Sequence, residues 1–232
     1  GDESEYTEVA TFTTVCEHGV QVEFTGTSTS SYVPTNGNYN YSFSQQLYKS
    51  SEINAATTIS GFEIEVSATG SRARNIDVYM MHTSANEITS WLPMDNAQLV
   101  YSGVVAFTEG WQQINFDTPF NYNGTDNLVL IMDDNTGTYG NYPTFRTHSA
   151  GSGISRYYFN DNNNPDPFNP GATAAGTSYT YRNNIRITNC PEATDLSITS
   201  INTFADACDV DGAVTIGVKN MGYEGTVSTF EA

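Results

Sequence analysis

The chain has 232 residues, 38% of them apolar, and 26 acidic side chains stand against 8 Lys and Arg, for a formal charge of −18. That length holds one large β domain or two small ones, and that charge repels phosphate backbones and anionic lipid, which sets nucleic acid and membrane surfaces aside as partners. No run approaches the roughly 20 apolar residues that span a bilayer, so membrane insertion is not expected.

Acidic excess favours cations, calcium above all, because calcium takes oxygen ligands; the plain alternative is solubility. Many Asn, Thr, Ser, Tyr and Gly residues with little Lys fit a secreted or outer-surface β protein. The three cysteines, Cys16, Cys190 and Cys208, lack the close spacing of a zinc site.

Taken in chain order, "TEVATFTTVC" (7–16) is Thr- and Val-rich and reads as a strand. "HGVQVEF" (18–24) reads as the next. "FEIEV" (62–66) alternates strictly, and "NIDVYMM" (75–81) is a further strand. "SANEITSWL" (84–92) is the one stretch with room for a helical turn. Strands follow at "AQLVYSGVVAF" (97–107) and "WQQINF" (111–116). "NLVLIM" (127–132) is continuously apolar, as suits a strand buried on both sides. "SRYYF" (155–159) and "NIRIT" (184–188) complete the set, with turn clusters such as "YNGTDN", "DDNTGTYGN" and "NDNNNPDPFNPG" between them. Many short strands at this spacing predict an all-β fold, a jelly-roll β-sandwich. After "ITNC" the texture restarts with "PEATDLSITSI" (191–201) and "GAVTIGVKNMG" (212–222).

Several of these pieces carry a resemblance. "STSSYVPTNGNYNYSFSQQLY", "RNIDVYMMHTS", the run from "LVYSGVV" through "LVLIMDDNTG", and "NIRIT" resemble a jelly-roll adhesin-type module. Such modules occur in large secreted proteins of gut and oral gram-negative bacteria, and are related to the cleaved-adhesin domains that follow gingipain-type proteases. "SEYTEVATFTTVC" is similar to the last strand of a fibronectin type III module. "DLSITSI" with "CDVDGAVTIGVKNMG" resembles the opening of an Ig-like module. The resemblance divides the chain into 1–16, the terminal strand of a preceding fibronectin-like module; 17–190, the jelly roll; and 191–232, the start of a following Ig-like module. A second reading gives the strand at 7–14 to the jelly roll itself. The resemblance implies a surface or type IX-secreted multidomain protein, calcium binding, and a non-catalytic role in adhesion, spacing, or glycan or protein binding. Its partners would be a host or bacterial surface glycan or protein and the neighbouring modules of the same polypeptide. The other functional reading is an accessory domain of a secreted protease or other hydrolase whose catalytic domain lies elsewhere.

Candidate sites follow from residue type. "IMDDNTGTYGN" and "FNDNNNPDPFNP" concentrate side-chain oxygens, and Asp133, Asp134, Asn135, Asp161 and Asp166 are the candidate calcium ligands. Asp and Asn also make turns by bonding their own backbone, which is the competing reason for their presence. Trp91, Tyr139, Tyr157 and Tyr158 are the candidate ligand-binding aromatics, with Tyr179 and Tyr181 nearby. Trp91 has an alternative role in plugging the sandwich. Arg72 and Arg74 in "GSRARN" read as a solvated turn. No Gly-x-Ser-x-Gly, His-Glu-x-x-His, phosphate loop or nucleotide fingerprint occurs, so no enzymatic activity is expected. Cys16 precedes the first jelly-roll strand and Cys190 follows the last, so a Cys16–Cys190 disulfide is expected; Cys190–Cys208 is the rival pairing.

Overall fold

A computed structural model describes residues 19–170, 175–189, 196–202, 215–220 and 230–231. The strand at 7–16 and the three cysteines, with the expected Cys16–Cys190 bridge, lie outside the described residues. The chain divides into two compact units, His18–Asn189 and a second that joins Gly1–Glu17 with Cys190–Ala232.

In the large unit β1 is Gly19–Phe24, β2 Ser28–Ser30 and β3 Tyr41–Tyr48, followed by a single helical turn, α1, at Ser50–Ile53. Then come β4 (Thr57–Ala68), β5 (Arg74–Thr83), β6 (Gln98–Val105), β7 (Gly110–Tyr122) and β8 (Asn127–Asp134). The unit ends with β9 (Thr144–Ser149), β10 (Ser155–Asn160), β11 (Thr177–Tyr179), β12 (Tyr181–Asn183) and β13 (Ile185–Asn189). In the second unit, β14 (Leu196–Asn202), β15 (Thr215–Asn220) and β16 (Phe230–Glu231) form an antiparallel three-stranded sheet.

The large unit is a β-sandwich of two antiparallel sheets. One runs β1-β13-β4-β9-β12, with β2 on β9 and β7 on β4; the other runs β11-β10-β3-β8-β5-β6. From β3 to β5, and again from β6 to β10, each connection crosses to the opposite sheet. That repeated crossing is the jelly-roll habit expected from the sequence. The inner faces meet in one core, where Phe62, Ile64, Ile114 and Ile187 face Ile76, Val78, Leu130 and Met132.

Strand β4 shows how a long strand keeps its apolar side inward. Ile59 is buried, and so are Phe62, Ile64 and Val66. An odd and an even series cannot share a face at period two, and the pairing with β7 shifts between Ile59 and Gly61 to reconcile them. Gly61 sits inside that bulge with no room for a side chain, because a Cβ there would lie 2.5 Å from the carbonyl oxygen of Ile114.

The sheet containing β8 is apolar on both faces. Every residue of β8 is buried. Leu128, Leu130 and Met132 enter the inter-sheet core. Val129 and Ile131 point outward and join Phe43, Leu47, Tyr79 and Met81 in a second apolar cluster, covered by Ile88, Met94 and Ile154. The stretch 84–92, which had room for a helical turn, is an irregular segment spread over this outer face. The one helical turn among the described residues, α1, was not foreseen.

Two arginines are buried: Arg182 ties one sheet to the other, and Arg74 ties loops to a single sheet. Arg182 of β12 is 1% exposed. It donates to Glu52 of α1 through both terminal nitrogens (2.9 and 2.5 Å) and to the Leu47 carbonyl of β3 at 2.7 Å. The Phe24 and Tyr48 rings flank its guanidinium at 4.8 and 4.6 Å. Its Nε–H donates to His148 Nε2 at 2.8 Å, so His148 carries its proton on Nδ1 and donates to Asn184 Oδ1 at 3.1 Å. Burial holds His148 below the ordinary imidazole value. Arg74, read from the sequence as part of a solvated turn, is 1% exposed and pairs with Asp134 at 2.7 Å. It also donates to the carbonyls of Thr138 and Tyr39. Its burial reflects a partner 60 residues away, which local sequence does not show.

Gly61→Ala is expected to lower the unfolding free energy by about 1–3 kcal/mol, measured by urea denaturation, because the added methyl meets backbone rather than a movable side chain.

Candidate functional site

The outer face of the β8 sheet carries two loop segments, and a groove lies between them. The first is 84–97. Pro93 interrupts it and removes a donor that a helix would need. It is anchored by Ile88 and Met94, both buried, and by a bond from Ile88 N to the Gly153 carbonyl at 2.6 Å. The Gln45 side chain of β3 then holds Leu92 at both backbone groups: Leu92 N donates to Gln45 Oε1 at 2.9 Å, and Gln45 Nε2 donates to the Leu92 carbonyl at 3.0 Å.

Trp91 is set by that clamp. Its ring lies 4.9 Å from Phe43, tilted by 58°, and the Arg156 guanidinium sits 5.4 Å from its centroid. Arg156, from β10, donates to the carbonyls of Thr89, Ala175 and Gly176. It braces the first segment against residues 175–176 instead of presenting a free cation. Gly176 has φ +70°, and a Cβ there would fall 2.5 Å from the Trp91 ring, so only glycine fits both the conformation and the space.

The second segment is 161–170, "DNNNPDPFNP". Its turn is local: Asp166 Oδ1 accepts from Phe168 N, and the Asp166 carbonyl accepts from Asn169 N, both at 3.0 Å. The turn leaves Phe168 58% exposed, edge-on to Tyr79 at 5.8 Å. Trp91, Leu92, Pro93, Arg156, Phe168 and Asn169 line the groove, which measures about 380 Å³. Its size falls in the range of small-ligand sites, and it combines rings with a few polar groups. A larger hollow of about 470 Å³ lies beside Met81, His82, Asp95 and Asp126. Its ring, His82, accepts from Asn123 N and stacks on Tyr122.

Of the expected calcium ligands, Asp133, Asn135 and Asp166 lie within electrostatic reach of one another, and Asp134 and Asp161 are engaged elsewhere. Asp133 and Asp134 are consecutive in β8 and therefore point to opposite faces. Asp134 faces inward to Arg74. Asp161 is occupied with the backbone of Asn40. On the outer face Asp133 lies directly across the ladder from Asp77, and Asn135 Nδ2 donates to both, at 3.0 and 3.4 Å. Asn164 in turn donates to Asn135. Asp133 is 2% exposed and its Oδ1 has no hydrogen-bond partner. Burial first, then the charges of Asp77, Asp134 and Asp166, push its carboxyl up to about 7. Among the described residues no three His, Cys, Asp or Glu side chains converge to hold a metal ion. Asp134 and Asp161 are thus engaged elsewhere, and Asp133 Oδ1 is left buried without a partner.

The expected aromatics also separate. Trp91 lines the groove. Tyr158 lies on β10 opposite Phe43, and Tyr157, its neighbour in the strand, faces the other way and stacks on Tyr32. Tyr139 is 66% exposed in the loop after β8. Phe168 and Arg156 were not foreseen. The available signal for Phe168 was a lone large apolar residue inside an otherwise polar, proline-bounded turn cluster.

Native Asp133 keeps its proton up to about pH 7, whereas the unfolded chain releases it near pH 3.9. Its contribution to stability therefore falls as pH rises from about 4 to about 7, with a slope of up to ~1.4 kcal/mol per pH unit. Asp133→Asn should remove that slope and raise stability at pH 8, as read from urea unfolding at a series of pH values.

No protein-family model matches the sequence, and no curated protein matches it. Among solved structures, it is similar to the cysteine protease and lectin-like domains of Cwp84, a surface layer associated protein of Clostridium difficile, at 11% identity and a TM-score of 0.36. The match covers 64% of this chain and 32% of that one.

Proposed function

We propose that this chain is a non-catalytic, ligand-binding part of a secreted or cell-surface multidomain protein. The observation that carries the reading is the outer-face groove, in which an exposed Phe168 and a braced Trp91 face each other across about 380 Å³. The Trp91 wall is held by hydrogen bonds from its backbone to Gln45 and Arg156, and the Phe168 wall by the Asp166 turn, so the shape exists before any ligand arrives. Preformed shape lowers the ordering cost of binding. The groove's one charged side chain, Arg156, spends its donors on backbone carbonyls, which favours an uncharged occupant. A sugar ring or an aromatic or aliphatic side chain displayed by a surface partner has the required size and polarity. The composition and the resemblance to adhesin-type modules support a place outside the cell, next to other modules of the same polypeptide.

Glycan and peptide arrays probed with the purified protein test this reading. Phe168→Ala should weaken binding to the recovered ligand about tenfold or more while leaving the melting temperature unchanged, because the ring is exposed. Recovery of the ligand chemically cleaved would contradict the non-catalytic reading, as would binding indifferent to Phe168.

A further inference from the structure

The β10–β11 ribbon carries aromatic residues on both faces, and the groove uses one of them. On the opposite face six rings stand in continuous contact. Tyr39 stacks on Phe159 with centroids 4.3 Å apart, and Phe159 lies parallel to Tyr157 at 5.5 Å. Tyr32 covers both, at 6.0 and 5.0 Å, with its plane within 20° of theirs. Tyr157 meets Tyr179 edge-on at 5.6 Å, and Tyr181 follows at 5.5 Å.

These rings belong to neither apolar cluster. Each is half-buried, apart from Tyr32, which is 42% exposed and leaves its outer side to solvent. Rings gathered only to close the edge of the sandwich would have no need for five phenolic hydroxyls. Here the hydroxyls gather with the rings: Tyr179 donates to Ser30 Oγ at 3.3 Å. Burial, then the neighbouring Tyr32 and Tyr179, push the Tyr157 phenol above its usual value. The cation–π pairs among the described residues fall on Trp91, Phe24, Tyr48 and Trp111, and none falls on this row.

We propose that the Tyr32–Tyr157–Tyr179 row is a second binding surface, separate from the groove, and that it takes a neutral polysaccharide chain. The row offers flat rings for stacking and a rim of hydroxyls for hydrogen bonds, and among the described residues no cation stacks on its rings. The whole chain, at −18, repels an anion. A sugar matches this surface group by group: its C–H faces lie on the rings, and its hydroxyls both donate to and accept from phenols. A purely apolar ligand would strip water from the phenols without replacing its hydrogen bonds.

Affinity electrophoresis in native gels tests the proposal with barley β-glucan, galactomannan, yeast mannan and amylopectin as neutral probes and alginate as the anionic one. At least one neutral polysaccharide should retard the protein, and alginate should not. Tyr32→Ala should lose about tenfold in affinity, equivalent to ~1.4 kcal/mol. Tyr32→Phe, which keeps the ring, should retain most of the retardation. Phe168→Ala should leave it intact, which separates this surface from the groove. Tyr32 is exposed and its substitution leaves the cores alone, so a melting curve matching the parent confirms that loss of retardation is loss of a contact. The proposal is overturned if no neutral polysaccharide retards the protein, if alginate alone does, or if retardation survives Tyr32→Ala.

Discussion

A sheet that is apolar on both faces needs two covers, and this requirement organises the large unit. The second sheet supplies one cover through the core around Phe62, Ile64 and Leu130. No third sheet lies over Val129, Ile131 and Phe43 among the described residues. That face is roofed by the connection from β5 to β6, whose Ile88, Trp91, Leu92 and Met94 do the work of a missing layer. A roof of irregular chain must place its own backbone polar groups, and Gln45, Gly153 and Arg156 take them. A roof of two separate segments also leaves a seam between them. The candidate groove is that seam, so the site is a consequence of how the outer face is covered.

Buried charge fixes the parts that hydrophobic packing leaves free. Apolar burial is non-directional and does not by itself set the position of β3 against β12. Arg182 does so through fixed-geometry bonds to Leu47, Glu52 and His148, with two rings against its guanidinium. Hydrogen bonds from Arg182 and from the Lys49 backbone overcome the effect of burial and hold Glu52 below its usual carboxylate value, so the pair stays charged. Arg74 acts within one sheet, joining β5 to its neighbour β8 and holding the loop carbonyls of Tyr39 and Thr138. Removing one partner of such a buried pair leaves an uncompensated charge, which is costlier than the pair is favourable.

Strands with a clean period were legible in the sequence. "FEIEV" alternates and "NIDVYMM" is rich in strand formers, and each became the body of a longer strand. "NLVLIM" carried the further information that it is covered on both sides, and β8 is buried throughout. Strand β3 was harder to read, because it buries Ser42, Ser44, Gln45 and Gln46. Their partners are distant or irregular backbone at Pro34, Asn36, Leu92 and Asn183. The candidate site was legible only in part. Trp91 stood out as a lone large ring. The convergence of Trp91 with Phe168 and Arg156 depends on two loops meeting over a sheet, and no local pattern encodes such a meeting. Acidic loop composition suggested calcium ligands in two loops, and what it did not show is that strand alternation sends Asp133 and Asp134 to opposite faces.

The central claim is that the seam between the two roofing segments is where a partner binds. Hydrogen–deuterium exchange read by mass spectrometry, with and without an array-selected ligand, tests it most directly. The account predicts added protection in peptides covering 88–93 and 166–170, with β8 unchanged because it is already buried on both faces. Protection confined to the hollow beside His82 and Asp126, with the two roofing segments unaffected, would contradict it.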